Sequence, residues 1–183
     1  MHRIFLGIAV DDAVRAHCGA VAARIEASGV RAKPVAAENY HLTLFFFGNV
    51  ADERITEIDA ATRTVASRHK PFTIVLDRVG AFPHERKPRI IFLGSRGVDA
   101  AYRQLAKDIR ESCARLAFVT EGKDDVAHVT LARVPERTRA ALPLLDVEPL
   151  SIDVSAVTLF ESLPYDGRTR YEVRSAFTLG SPI

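Results

Sequence analysis

His41-Leu42-Thr43-Leu44 and His128-Val129-Thr130-Leu131 are two copies of one pattern, and their spacing decides the fold. Positions 41 and 128 stand 87 residues apart, as do 4 and 91, where Ile4-Phe5-Leu6-Gly7 recurs as Ile91-Phe92-Leu93-Gly94. Asp12-Ala13 and Asp99-Ala100 keep the same offset. Each copy reads strand, helix, then a strand carrying His-x-Thr, which marks an internal duplication. Two such units related by a pseudo-twofold axis would set the tetrads on opposite walls of one groove. The expected architecture is therefore α+β, duplicated and bilobal, with two β-sheets, helices outside and a central groove. Residues 1–183 form a single domain of two pseudo-symmetric lobes on this reading.

Outward from the tetrads, residues 3–10 and 40–47 read as strands, the second stopped by Gly48-Asn49. Asp11 is expected to cap a helix whose apolar stripe is Val14, Cys18, Val21 and Ile25, closed by Gly29. Asp52 is expected to cap a second, with Ile55, Ile58, Thr62 and Val65 on one face. Residues 72–79 and 89–95 read as strands joined by a loop over 82–88, where two prolines disfavour pairing. A helix over 99–116 turns Tyr102, Leu105, Ile109, Cys113 and Leu116 inward. A charged loop, 121–125 (EGKDD), precedes a strand at 126–134, and strands near 150–160 and 169–179 finish the chain.

The bulk composition excludes several classes. The chain has 183 residues, 48% hydrophobic and 26% charged, too apolar for disorder at a net charge of +2. That slight positive balance suits a phosphate-bearing ligand but not a long duplex footprint. No stretch approaches the ~20 apolar residues of a spanning helix, and the N-terminus lacks a signal-peptide pattern. Cys18 and Cys113 sit among apolar neighbours on expected helices and read as buried free thiols. The expectation is a cytoplasmic monomer that needs no membrane.

The chemistry lies in the tetrads. Side chains alternate faces along a strand, so His41 and Thr43 point one way, as do His128 and Thr130. Leu42, Leu44, Val129 and Leu131 point the other way, into a core. None of the other histidines, His2, His17, His69 or His84, has threonine two places on. Imidazole accepts a proton and imidazolium donates one near neutral pH. A pair flanking a phosphodiester supplies a general base for the attacking oxygen and a general acid for the leaving oxygen. Thr43 and Thr130 can donate hydrogen bonds to the non-bridging phosphate oxygens. No metal or other cofactor is expected, since zinc-ligand spacing, a P-loop and a nucleophile elbow are all absent from the sequence.

At these residues the chain resembles the two-histidine phosphoesterase superfamily, with its paired His-x-Thr-x motifs on a duplicated bilobal fold. It is most similar to the bacterial and archaeal RNA 2′,3′-cyclic phosphodiesterases, once named 2′-5′ RNA ligases. The likeness spans nearly the whole chain. It includes residues 3–8 (RIFLGI), Glu38-Asn39, Gly80-Ala81-Phe82-Pro83, Pro88-Arg89 and the Arg133 that closes HVTLAR. The resemblance implies water attack on a 2′,3′-cyclic phosphate of RNA or a nucleotide, leaving a 2′-phosphomonoester. It also implies that the first histidine, His41, donates a proton and the second, His128, accepts one. One departure stands out: Phe45 replaces a lysine common in the family, which alters the electrostatics of the first lobe.

Arg133 lies five places after His128, as Phe46 does after His41. A guanidinium and a ring suit contact with the scissile phosphate and stacking on a base, so both are expected substrate-binding residues. An odd offset falls on the wrong face of a regular strand, so a twist or bulge has to intervene. Arg86, Lys87, Arg89, Arg168 and Arg170 read as solvated loop charge more than as a strand-guiding track. Two alternatives stand beside hydrolysis: the reverse joining of a cyclic phosphate to a 5′-hydroxyl, and nucleotide binding without turnover. At ~55 M water, mass action favours hydrolysis over joining. Binding alone needs no matched acid and base.

Overall fold

The computed structural model describes residues 1–97, 99–119, 126–136, 138, 141–142 and 144–180. The charged loop expected at 121–125 lies outside these residues. Asp11 accepts from the Val14 N–H at 2.8 Å and so starts helix α1 (Asp12–Ala27), which buries Val14, Cys18, Val21 and Ile25. Asp99 starts α3 (Ala100–Arg115) in the same way, accepting from Tyr102 N–H at 2.7 Å. Asp52 does not cap α2 (Asp52–Ala66). It is that helix's first residue, Ala51 holds the cap position without a side-chain bond, and Asp52 and Glu53 face the positive end of the helix dipole. Leu116, expected inward, is only partly buried.

The strands are β1 (His2–Ala9), β2 (Lys33–Pro34), β3 (His41–Val50), β4 (Phe72–Leu76), β5 (Arg78–Phe82), β6 (Ile90–Gly94), β7 (His128–Arg133), β8 (Leu150–Val154), β9 (Ala156–Tyr165) and β10 (Arg168–Thr178). Three expectations are corrected here. The run 72–79 is two strands, because Asp77 turns the chain. Its N–H donates to the Gly94 carbonyl at 3.0 Å and its carboxylate accepts from Arg96 N–H at 2.7 Å. Ser155 divides 150–160 likewise, into β8 and β9. Strand β3 also runs through Gly48, whose φ of +76° sits beside a register shift, to Val50.

Pairing is antiparallel throughout. One sheet runs β10-β9-β1-β3-β7-β6-β5, with β2 also on β7, and β4 and β8 form a separate ribbon. Strands β3 and β7 meet only at Leu42 and Val129, so the sheet is two halves joined at one register pair. The helices interlock those halves. The first repeat's α1 packs against β7 of the second, and the second repeat's α3 packs against β3 of the first. Leu42, Leu44, Val129 and Leu131 are buried as their alternation requires. Cys18 and Cys113 are buried free thiols, and burial pushes each up to about 12.

Candidate active site

His41 and His128 each open a strand, and each is held by the same device. The Nδ1–H of His41 donates to the Asn39 carbonyl at 2.7 Å. The Nδ1–H of His128 donates to the Val126 carbonyl at 2.8 Å. A carbonyl can only accept, so both bonds put the ring proton on Nδ1 and leave Nε2 as the working nitrogen. His41 Nε2 lies 3.0 Å from Thr43 Oγ1, which donates to it when the ring is neutral.

Leu42 and Val129 are partners. Continuing that antiparallel register by one residue sets His41 across from Thr130 and Thr43 across from His128. The charges of His128 and Arg133 also bear on His41. Its pKa is pulled down to about 4, mainly by burial; the bond to the Asn39 carbonyl opposes the fall, and His128 and Arg133 deepen it.

Each imidazole is walled by aromatic rings. Phe5, Phe160 and Tyr171 lie 4.7, 5.7 and 5.1 Å from His41, centroid to centroid. Phe82 and Phe92 both lie 5.1 Å from His128. Phe5 and Phe92 are repeat equivalents, two places before Gly7 and Gly94. These glycines are dictated by close approach. A Cβ on Gly7 would lie 2.6 Å from the Leu42 carbonyl oxygen, and one on Gly94 2.7 Å from the Phe92 ring.

The bulges needed for Phe46 and Arg133 are present, at equivalent places. Leu6 pairs with Phe45 but Gly7 with Thr43, so Leu44 is the extra residue in β3. Ile91 pairs with Ala132 but Phe92 with Thr130, so Leu131 is the extra residue in β7. Each bulge returns the residue five places after its histidine to the groove face. Phe46 is 47% exposed with its ring 5.2 Å from Phe5, and Arg133 is exposed beside Ile90 and Lys33. Phe45 turns away, buried and 4.8 Å from Phe47, so the lysine-to-phenylalanine departure adds to the core.

Two positioning contacts escaped the sequence reading. Asn39 is 7% exposed; its Nδ2 donates to the Thr169 carbonyl at 2.7 Å and its Oδ1 accepts from Tyr171 N–H at 2.9 Å. It therefore clamps β10 to the 3-10 turn (Ala37–Asn39) that holds His41. Tyr102, buried on α3, donates its hydroxyl to the Thr43 carbonyl at 3.2 Å. Glu38-Asn39 was visible as a motif, but its partner lies 130 residues away in the chain. Among the described residues no three His, Cys, Asp or Glu side chains are grouped to hold a metal, and no helix is long and apolar enough to cross a membrane.

The model of the LigT-like phosphoesterase family matches residues 8–92 and again 93–171, one match for each repeat. The RNA 2′,3′-cyclic phosphodiesterase of Aeropyrum pernix is 33% identical over 159 residues, 81% of this chain and 89% of that protein. The Escherichia coli protein of the same name is 32% identical, over 76% of this chain and 75% of its own. The crystal structure of E. coli LigT in apo form superposes with a TM-score of 0.77 at 29% identity, covering 98% of each chain. The ATP complex of that protein gives 0.80 at 28%, over 98% and 99%.

Proposed function

Because this chain belongs to the LigT-like phosphoesterase family, we propose that it hydrolyses 2′,3′-cyclic phosphate termini of RNA to 2′-phosphomonoesters by paired histidine acid–base catalysis. The relatives named above support the reaction class. The observation that carries the assignment of residues is the matched pair of Nδ1–carbonyl bonds, at 2.7 and 2.8 Å, which makes Nε2 the proton-exchanging nitrogen of both His41 and His128.

In the proposed reaction His128 Nε2 takes a proton from water as the water oxygen bonds to phosphorus. The P–O3′ bond breaks, its electron pair stays on O3′, and His41 Nε2 supplies the proton that makes the 3′-hydroxyl. The phosphate remains on O2′, and the two rings reset by exchange with solvent. At neutral pH His41 is uncharged in the free protein, so it becomes a donor only when the substrate anion raises its pKa again. Thr43, freed from Nε2, then donates to a non-bridging oxygen, as does Thr130. Arg133 holds the phosphate and Phe46 stacks on the terminal base.

The two lobes act as one catalytic unit, and the protein works as a monomer: both tetrads are on one chain, and no second copy is needed to complete the site. Two buried free thiols fit a cytoplasmic setting. The test is turnover of a short RNA ending in 2′,3′-cyclic phosphate, in the presence of chelator, with the product followed by ³¹P NMR. A 2′-phosphate product is expected. Absence of turnover, or a 3′-phosphate, would refute the proposal.

A further inference from the structure

Strand β5 carries a cation on the groove face that the reaction above does not use. The registers align Arg78 with Gly94 and Gly94 with His128, one cross-strand row. Cross-strand partners share a face, and the row spans two interstrand steps, roughly 9–10 Å. Phe82, two places past Gly80 on the same strand, touches the His128 ring, which puts Arg78 on the histidine's side of the sheet.

The space between is shaped by glycine. A Cβ at Gly80 would come within 2.5 Å of the Phe92 ring and one at Gly94 within 2.7 Å, so the ring lies flat across both. The Arg78 guanidinium carbon sits 5.8 Å from that ring's centroid, and the other side of the aromatic cluster meets His128. Arg78 is half-buried. Its Nε is buried without a hydrogen-bond partner, and among the described residues it forms no ion pair. A guanidinium partly removed from water, with its Nε unbonded and no carboxylate in ion-pair contact, is an unfavourable arrangement that a bound anion would relieve.

Arg78 also borders a recess of about 620 Å³, with Arg96, Glu85, Asp146 and Leu144 on its walls. Apolar lining there suits a base, and carboxylates accept hydrogen bonds from ribose hydroxyls.

We propose that Arg78 binds the phosphodiester on the 5′ side of the terminal nucleotide, so that the site is built for an oligonucleotide end rather than a bare nucleoside cyclic phosphate. The proposal rests on the reaction site described above: with the terminal phosphate between the histidines and its base on Phe46, the next phosphate runs toward β5. Charge-assisted contact of this kind gives about ten- to hundredfold in affinity.

Calorimetric titration of the full chain with adenosine 2′-phosphate and with adenosine 2′,5′-bisphosphate tests it without depending on turnover. The intact protein is expected to prefer the bisphosphate by about tenfold or more. In Arg78→Ala, and in Arg78→Gln, which keeps an amide and part of the stem over Phe92, that ratio should fall to within about twofold of unity. No preference in the intact protein, or a preference that survives both substitutions, overturns the Arg78 subsite. Failure of the intact protein to bind either compound would instead sink the phosphate site at the histidines, and the subsite with it. A dinucleotide cyclic phosphate then separates a diester from a terminal 5′-phosphate: the same ratio, read as kcat/KM against the mononucleotide, should collapse in Arg78→Ala.

Discussion

Leu42 and Val129 are partners at the one register pair that joins β3 to β7, and 87 residues of chain separate them. An antiparallel pair formed by equivalent residues of a repeat lies on the pseudo-twofold axis. The residues on either side of it are therefore exchanged by that axis: His41 with His128, Thr43 with Thr130, and the bulged Leu44 with Leu131. The duplication places two like imidazoles, with like tautomers, about one centre. Such a pair can serve a phosphorus atom at which one bond forms while another breaks, one ring as base and the other as acid.

Gly94→Ala is expected to cost about 1–3 kcal/mol of stability, the range for overpacking a filled site. The new Cβ would lie 2.7 Å from the Phe92 ring and 3.2 Å from the Ala127 carbonyl oxygen. Turnover should fall further than stability alone explains, because Phe92 flanks His128. Gly19→Ala is the control: nothing lies within 4 Å of its Cβ, and alanine favours the helix by about 1 kcal/mol. Urea denaturation of the two variants should give shifts of opposite sign.

Acid should weaken the fold through His41. Its folded pKa, about 4, lies below the ordinary 6.5, so between those values the unfolded chain binds a proton that the native ring refuses. Stability from this group is full above pH 6.5 and is lost as pH falls toward 4, by up to about 1.4 kcal/mol per pH unit. His41→Gln should flatten that part of the stability curve. An unchanged slope in the variant would show that another group is responsible.

Asn39→Ala removes both bonds that hold Thr169 and Tyr171 to the turn before His41. A loss of about 1–3 kcal/mol is expected from the buried partners left unmatched. Because the Tyr171 ring meets His41 edge-on at 5.1 Å, the pH profile of kcat should move as well. Asn39→Asp keeps an acceptor for Tyr171 N–H and should recover part of both effects. A change in stability with an unmoved pH profile would mark Asn39 as structural only.

Phe46→Ala should leave the unfolding midpoint nearly unchanged, since the ring is 47% exposed, while raising KM about five- to hundredfold, the range for a lost base stack. Steady-state kinetics on an RNA substrate and a melting curve together decide this. An unchanged KM would assign Phe46 to the wall around Phe5 alone.

The candidate site was legible from the chain because its parts are local or repeated. Two identical offsets located the histidines, and the parity of the five-residue step demanded the bulges now seen at Leu44 and Leu131. Helix α1 was legible to the cap, because Asp11 acts on backbone only three residues ahead, whereas α3 was legible as a helix but with Asp99 read as its first residue when it is the cap. What stayed hidden was non-local. Asp77 and Ser155 break apparently continuous apolar runs, since β4 and β8 leave the main sheet to pair with each other. The phenylalanines and glycines of the repeated Ile-Phe-Leu-Gly read as ordinary strand residues until packing showed the ring and the space made for it. Arg78 likewise gains meaning only from its row with Gly94 and His128.

The most direct test of the central claim is the cleavage rate of a 2′,3′-cyclic phosphate-terminated RNA by His41→Ala, His128→Ala and the double variant. Two groups serving one phosphorus atom as a unit should each cost ~10²–10⁴ in kcat/KM when removed, and the double variant should be little worse than the weaker single. Full activity in either single variant, or losses that simply multiply in the double, would contradict a shared centre.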